Sequence, residues 1–256
     1  MVYHYRHRKK RKINKRVIIA IIPLFVLAGL VYLLFCSPVF DIKKTEISGN
    51  KEIKSEEIQN ILSCANIFLF SGKKIKNELL ERIPKIAELE IEKNIFKREL
   101  KIKLSEREEI GIACQANPAF AEATAGKCFY IDKDGVIFEN APQTSGSLIT
   151  LINDFSGRNI KLGEKIFDEK FIGLIFEIKE EMLVGMNLKI KSFDSMNFPI
   201  QNVKAMTSEG WYAFFNFNNN IKSQLSALKV ALKEKIKIRT GLEYVDLRIE
   251  NRIYYK

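Results

Sequence analysis

The chain has 256 residues, 46% of them hydrophobic, which is enough to bury a core, and its 13 Gly and 6 Pro exclude a fibrous or disordered protein. Its net charge of +11 is concentrated at the start: residues 1–40 contain eight basic residues and no acid, whereas residues 41–256 contain 34 basic and 31 acidic residues. The nearly neutral remainder lacks the spread of basic residues expected of a nucleic-acid-binding domain.

An apolar segment at residues 17–37 follows the basic tail, and no charged residue occurs from Val17 through Phe40. Twenty apolar residues in a helix span about 30 Å, the thickness of a bilayer core. The positive-inside rule then places residues 1–16 in the cytoplasm and residues 38–256 outside it. The basic residues that set this topology, and that would contact lipid headgroups, are Arg6, Arg8, Lys9, Lys10, Arg11, Lys12, Lys15 and Arg16.

Two other interpretations of the apolar segment are a cleaved signal peptide and acylation at Cys36. A signal peptide has a shorter apolar stretch and an A-x-A-like cleavage site, which is absent here. A lipoprotein signal has small residues before its cysteine, where this chain has Phe35. We therefore predict an uncleaved single-pass membrane helix.

The remaining chain is predicted to form two α+β blocks. Residues 40–107 show the order strand, helix, helix, strand, strand, and the two last strands alternate with period two. Residues 108–256 predict a mainly antiparallel β domain with two helices, at residues 168–184 and 221–239. In the strand at residues 211–217, aromatic residues fall on both faces; we expect one face to be core and the other to pack under a helix.

Four cysteines are present, and Cys114 and Cys128 flank a run of small and polar residues between two strand-like stretches. Residues at the two feet of such a loop lie opposite each other at disulfide distance, so we predict a bond that closes a loop of about 15 residues. The alternative is two free thiols. Cys64 is expected to be a small core residue on a helix.

Catalysis is not expected, because the only histidines, His4 and His7, lie in the tail, and no phosphate loop or metal-ligand spacing occurs. We therefore expect that the protein is not an enzyme and that it has no cofactor, metal site or small-molecule substrate. One alternative remains open: Glu106, Glu108 and Glu109 could supply the carboxylate pair of a cell-wall hydrolase.

The end of the chain alternates strictly from Tyr244 to Ile249, which predicts that Val245, Leu247 and Ile249 point inward while Tyr244, Asp246 and Arg248 point outward. A final strand has a free edge that can accept a strand from a partner. Lys256 and Arg252 could instead protect that edge.

Together these features resemble the FtsQ family of bacterial cell-division proteins, called DivIB in other lineages. FDIKKTEISGNKEIKSEEI is similar to the opening of the family's POTRA module, and LKIKLSEREEIGIA to its exit strand. CFYIDKDGVIF resembles the hairpin that opens the β domain, and YVDLRIENRIYYK resembles the terminal strands. Glu109-Ile110, where the family usually has Pro, and the insertion between Cys114 and Cys128 depart from the pattern.

The resemblance implies a non-enzymatic divisome scaffold in the cytoplasmic membrane at the division septum, which holds FtsB/FtsL-like partners outside the cytoplasm to support septum assembly. It implies that a partner strand adds at the C-terminal edge. The partner-binding residues expected there are Tyr244, Val245, Asp246, Leu247, Arg248, Arg252, Ile253, Tyr254 and Tyr255. The alternatives from other classes are the membrane-anchored hydrolase and a POTRA-containing transport or secretion component.

Overall fold

The computed structural model describes residues 15–62, 66–116, 127–144, 146–195 and 201–256, with side chains from Pro23 onward. The chain divides into two compact units. The first comprises Met1–Asn50, Lys54–Glu78 and Leu89–Leu104, and the second comprises Lys51–Ile53, Leu79–Glu88 and Ser105–Lys256. The α+β class predicted from the sequence is confirmed, with five α-helices and two sheets among the described residues. The predicted domain boundaries remain predictions.

The first half of the chain has the predicted order of strands and helices after its first helix. Its elements are α1 (Lys15–Cys36), a 3₁₀ turn (Pro38–Phe40), β1 (Lys44–Ser48), α2 (Ser55–Ile61), α3 (Gly72–Arg82), β2 (Ile86–Asn94) and β3 (Glu99–Glu106). The three strands form one sheet in the order β1-β3-β2, with β1 and β3 parallel. Alternation buries Leu100, Ile102 and Leu104 on one face of β3, as period two requires.

A membrane helix at residues 17–37 was the prediction for α1. Within the part of the chain that the structure describes, no helix is both long enough and apolar enough to cross a bilayer.

The described residues of the second half of the chain form nine strands and two helices. They are β4 (Gly111–Gln115), β5 (Cys128–Ile131), β6 (Ile137–Ala141), β7 (Thr150–Asp154), α4 (Glu169–Met186), β8 (Ile190–Ser195), β9 (Asn202–Thr207), β10 (Tyr212–Asn216), α5 (Ile221–Glu234), β11 (Tyr244–Asp246) and β12 (Tyr254–Tyr255). Among the described residues the strands form one mixed sheet in the order β12-β11-β10-β9-β8-β7-β4-β5-β6. Five neighbouring pairs are antiparallel; β10–β11, β8–β7 and β7–β4 are parallel.

Helices α4 and α5 begin at side-chain caps. Asp168 accepts a hydrogen bond from the backbone N–H of Phe171, and Asn220 accepts one from Ser223 at 3.1 Å. Helix α5 ends at Glu234, five residues before the predicted end at Arg239, yet Ile236 is still buried. Each helix connects two parallel strands, as parallel pairing requires.

One hydrophobic core joins these helices to one face of the nine-stranded sheet. It includes Ile175 and Leu228 from the helices and Ala205, Phe215 and Val245 from the strands. Because side chains alternate along a strand, the residues between these strand positions lie on the opposite face of the sheet. That opposite face carries the side chains described next.

Candidate partner-binding edge

Strand β12 forms the outer edge of the nine-stranded sheet beside the chain terminus. It pairs antiparallel with β11, with Tyr255 opposite Val245 and Tyr254 opposite Asp246. Backbone hydrogen bonds join Tyr244 and Lys256 in both directions, at 3.2 and 3.3 Å. Strand β11 is therefore covered on both sides, by β10 and by β12, and the available edge belongs to β12.

The hydrogen-bonding pattern shows which backbone groups of β12 face outward. In an antiparallel pair, hydrogen-bonded and non-hydrogen-bonded residue pairs alternate. Tyr244 and Lys256 form a hydrogen-bonded pair, so Tyr255 and Val245 form a non-hydrogen-bonded pair. The N–H and C=O of Tyr255 consequently point away from β11, where a further strand could bind them.

An aromatic and charged cluster lies on the face of β10 and β11 opposite the helices. The rings of Phe214 and Tyr244 meet edge to face with centroids 5.9 Å apart. The Arg248 guanidinium lies 5.0 Å from the centroid of the Phe214 ring, within cation–π range. One strand away, the Lys204 ammonium lies 3.6 Å from the centroid of the Tyr212 ring. The cluster therefore contains two cation–π pairs, Arg248 with Phe214 and Lys204 with Tyr212.

A three-residue turn from Asp246 to Arg248 ends β11. The Asp246 carboxylate accepts the backbone N–H of Arg248 at 3.0 Å and its guanidinium Nε at 2.9 Å. Burial favours the neutral form of Asp246, but the side-chain and backbone hydrogen bonds from Arg248 together outweigh it and lower the pKa of Asp246. Conversely, hydrogen bonding to Asp246 raises the pKa of Arg248.

A groove of about 390 Å³ adjoins this edge, between the start of α5 and the chain that leads to β12. Asn219 and Gln224 contribute polar side chains, and Ile249 and Ile253 contribute apolar ones. The Asn219 side-chain amide also donates to the Arg248 carbonyl at 3.1 Å, which connects the turn to the loop that precedes α5. The groove is large enough to receive side chains next to an added strand.

The predicted binding residues divide into separate environments. Tyr244, Asp246 and Tyr254 share one face of the sheet by their register, while Tyr255 lies on the other face and is 52% exposed. Val245 and Leu247 are buried in the core, so their side chains are not available to a partner. Arg252 is exposed and Ile253 half-buried beside the groove.

Two sequence expectations for this region are wrong. Ile249 was predicted to point inward but is 52% exposed, because the turn at Asp246 ends β11 and with it the alternation. Tyr212 and Phe214 were expected to pack under a helix, but they lie half-buried on the opposite face, against Lys204, Tyr244 and Arg248. Tyr212 and Phe214 were not predicted as site residues. The sequence shows them only as aromatic residues that alternate with core positions.

A disulfide joins Cys114 and Cys128, with Cα atoms 4.1 Å apart, where β4 and β5 place the two residues directly opposite each other. Cys36 is a free, exposed thiol. Cys64 lies outside the described residues, as do tail residues 1–14. No cluster of three or more His, Cys, Asp or Glu suited to a metal ion occurs among the residues with described positions.

The Glu106 carboxylate, considered above for catalysis, has a structural environment. It accepts the backbone N–H groups of residues 51–53, with N···O distances from Lys51 and Ile53 of 2.5 and 3.0 Å. Burial opposes ionisation, but these backbone hydrogen bonds prevail and lower the pKa of Glu106. A lowered pKa is the opposite of what a general acid in glycan hydrolysis requires.

Residues 40–107 match the family model for the POTRA domain, FtsQ-type. These residues form an FtsQ-type POTRA domain, and the chain is similar to cell division proteins named DivIB. It is 24% identical to the cell division protein DivIB of Clostridium botulinum strain Loch Maree, over 97% of this chain and 93% of that protein.

Other DivIB proteins are similar over a shorter range. That of C. botulinum strain Hall is 27% identical over 66% of this chain and 62% of its own length. That of C. acetobutylicum is 29% identical over 61% of this chain and 60% of its own length. In these two matches the chain spans about three-fifths of the relative. The relatives' names indicate a cell-division protein.

Proposed function

We propose that this protein is a non-enzymatic scaffold of the division machinery, which binds an FtsB- or FtsL-like partner by adding a partner strand to β12. The observation that carries the proposal is the outward orientation of the Tyr255 N–H and C=O at the end of a nine-stranded sheet. A strand added there would continue the sheet and use these groups in its ladder.

The side chains around this edge favour a selective partner. Tyr254 and Tyr255 are 46% and 52% exposed on opposite faces, so each can contact a partner side chain on its own face. Exposed tyrosines supply large contact area at low entropic cost, as at many protein interfaces. The groove lined by Ile249 and Ile253 offers an additional apolar contact.

The opposite edge of the sheet, β6, is a poorer docking strand. Its first residue, Ile137, exchanges backbone hydrogen bonds with residues 163 and 164, at 2.8 and 3.1 Å. A partner strand would have to displace this segment or pair with the rest of β6 alone. The comparison favours β12 as the partner-binding edge.

From the sequence alone, we further propose that residues 17–37 anchor the protein in a membrane and that the β domain lies outside the cytoplasm. The absence of charge from Val17 through Phe40 and the eight preceding basic residues support this topology. A phosphatase fused after Lys256 should be active in cells, whereas an active cytoplasmic reporter at the same position would contradict the orientation.

Proline substitution tests the docking edge, since proline removes one backbone N–H. Tyr255→Pro removes an outward N–H that β11 does not use, so the affinity for the partner should fall at least about fivefold while the melting temperature changes little. Tyr254→Pro is the matched control, because Tyr254 pairs with Asp246 and its loss should lower the melting temperature. Unchanged partner affinity in a folded Tyr255→Pro variant would refute docking at β12.

A further inference from the structure

A second groove lies away from β12, at the start of strands β4 and β7 beside α4. Its volume is about 400 Å³. The apolar walls are formed by Ile110, Tyr130 and Phe176, and the rim by Leu148 and Ile149. Leu148 is 96% exposed and Ile149 is 44% exposed, an unusual position for two adjacent aliphatic side chains.

The Lys179 side chain enters this groove from α4. Its ammonium donates a hydrogen bond to the Thr150 hydroxyl at 2.8 Å. Thr150 is itself buried at the start of β7, so its hydroxyl fixes the position of the ammonium. Among the described residues no carboxylate lies within 4.0 Å of this nitrogen, although the exposed Glu109 also lines the groove.

A half-buried cation without a counter-charge is costly, because burial disfavours its charged form. The pKa of Lys179 is lowered for this reason. A carboxylate placed beside the ammonium would favour its charged form and, in the partly desolvated groove, would interact more strongly than in water. The groove therefore complements an anion.

The surroundings distinguish between classes of anion. Lipid headgroups of an anionic membrane are recognised by clusters of four to eight basic residues. This groove has a single basic residue in its lining, Lys179. The same argument excludes a nucleic-acid backbone, since each contacted phosphate requires its own cation. One cation between aliphatic and aromatic walls fits one carboxylate with apolar neighbours, which is the chemistry of a Glu or Asp in an apolar peptide.

Gly111 contributes to the shape of this groove. A Cβ atom at this position would lie 2.6 Å from the Thr150 carbonyl oxygen, too close for any side chain without a backbone shift. The absence of a side chain allows β4 and β7 to pair at their first residues, Gly111 opposite Thr150. The groove is thus part of the paired strands and not only of a surface loop.

We propose that this groove is a second docking site, which binds an apolar segment of a partner protein through one carboxylate that contacts Lys179 between Leu148, Ile149 and Phe176. The site is independent of strand addition at β12, because the two share no residue.

The probe is the peptide acetyl-Leu-Phe-Glu-Leu-Ala-amide, compared with the same peptide carrying Gln in place of Glu. The complete chain in lipid nanodiscs is immobilised, and empty nanodiscs provide the reference for partition into lipid. We expect the Glu peptide to bind at least fivefold more tightly than the Gln peptide. Equal affinities, or no binding of either peptide, would overturn the proposal.

Variants assign that preference to Lys179. Lys179→Met should remove the preference for Glu and Lys179→Arg should retain it, while the exposed Lys170→Met on the same helix is the matched control and should leave it unchanged. Leu148→Ser, at a side chain too exposed to be needed for folding, should weaken both peptides about equally. A preference for Glu that survives in a folded Lys179→Met variant would show that the carboxylate binds elsewhere.

Discussion

Tyr255 lies opposite Val245 in the antiparallel pair of β12 and β11, and its backbone N–H and C=O point away from the sheet. Val245 is fully buried, so β11 belongs to the core and is not itself a docking strand. Val245 therefore marks β11 as a structural strand, whereas Tyr255 marks β12 as the strand that a partner can reach. The two residues also locate the proposed interface at the last strand of the chain.

Tyr244 lies half-buried on β11, where its ring packs against that of Phe214 on β10. We expect Tyr244→Ala to weaken partner binding at least about fivefold and to cost about 1 kcal/mol of unfolding free energy, a typical value for an aromatic pair. That loss corresponds to a fall in melting temperature of about 2–4 °C for a domain of this size.

Tyr244→Phe serves as the control, since it keeps the ring contact with Phe214. Its melting temperature, measured by calorimetry, should stay near the wild-type value. If Tyr244→Ala and the wild type bind the partner equally, the tyrosine is a structural residue and its assignment to the interface is wrong.

The Asp246–Arg248 turn should make stability depend on pH. The pKa of Asp246 is lower in the folded than in the unfolded chain, so its contribution is present above the unfolded pKa of about 4 and is lost as the pH falls through the folded pKa. Asp246→Asn should therefore lower the unfolding free energy at pH 7, and the difference from wild type should shrink in acid. Chemical denaturation at pH 7 and pH 3 measures both values; a difference that grows in acid would contradict this role.

Much of the fold could be predicted from local patterns, because the determining interactions lie within a few residues. The stripe of Leu225, Leu228 and Leu232 indicated α5, and all three residues are buried. Alternation likewise indicated β3. The order of strands in the large sheet could not be obtained this way, since β4 lies beside β7 and β10 lies beside β11 through contacts distant in sequence.

The site was predictable only in part. Alternation alone extended the last long strand through Ile249, but a hydrogen bond from the Arg248 N–H to the Asp246 carboxylate ends it earlier. The aromatic character of Phe214 was visible in the sequence. Its role was not, because it depends on Tyr244 and Arg248, which reach it only through the parallel pairing of β10 and β11.

The disulfide between Cys114 and Cys128 joins β4 to β5 across the insertion, and we expect it to stabilise the fold. Closing a loop of this length stabilises by about 3 kcal/mol in the chain-entropy model, so the double variant Cys114→Ser/Cys128→Ser should lose stability on that order. In denaturant, the number of thiols alkylated in the wild type should rise by two after reduction. The double variant should show no such rise, and a wild-type count that does not change on reduction would show that the bond is absent in the purified protein.

Amide hydrogen exchange at single-residue resolution tests strand addition most directly. In the free protein, the Tyr255 N–H should exchange rapidly while that of Tyr254, which faces Asp246, is protected. On binding an FtsB-like partner, the Tyr255 N–H should become protected, because the added strand accepts its hydrogen bond. If the partner binds and the Tyr255 amide still exchanges at its free rate, the partner does not extend the sheet at β12 and the central claim is wrong.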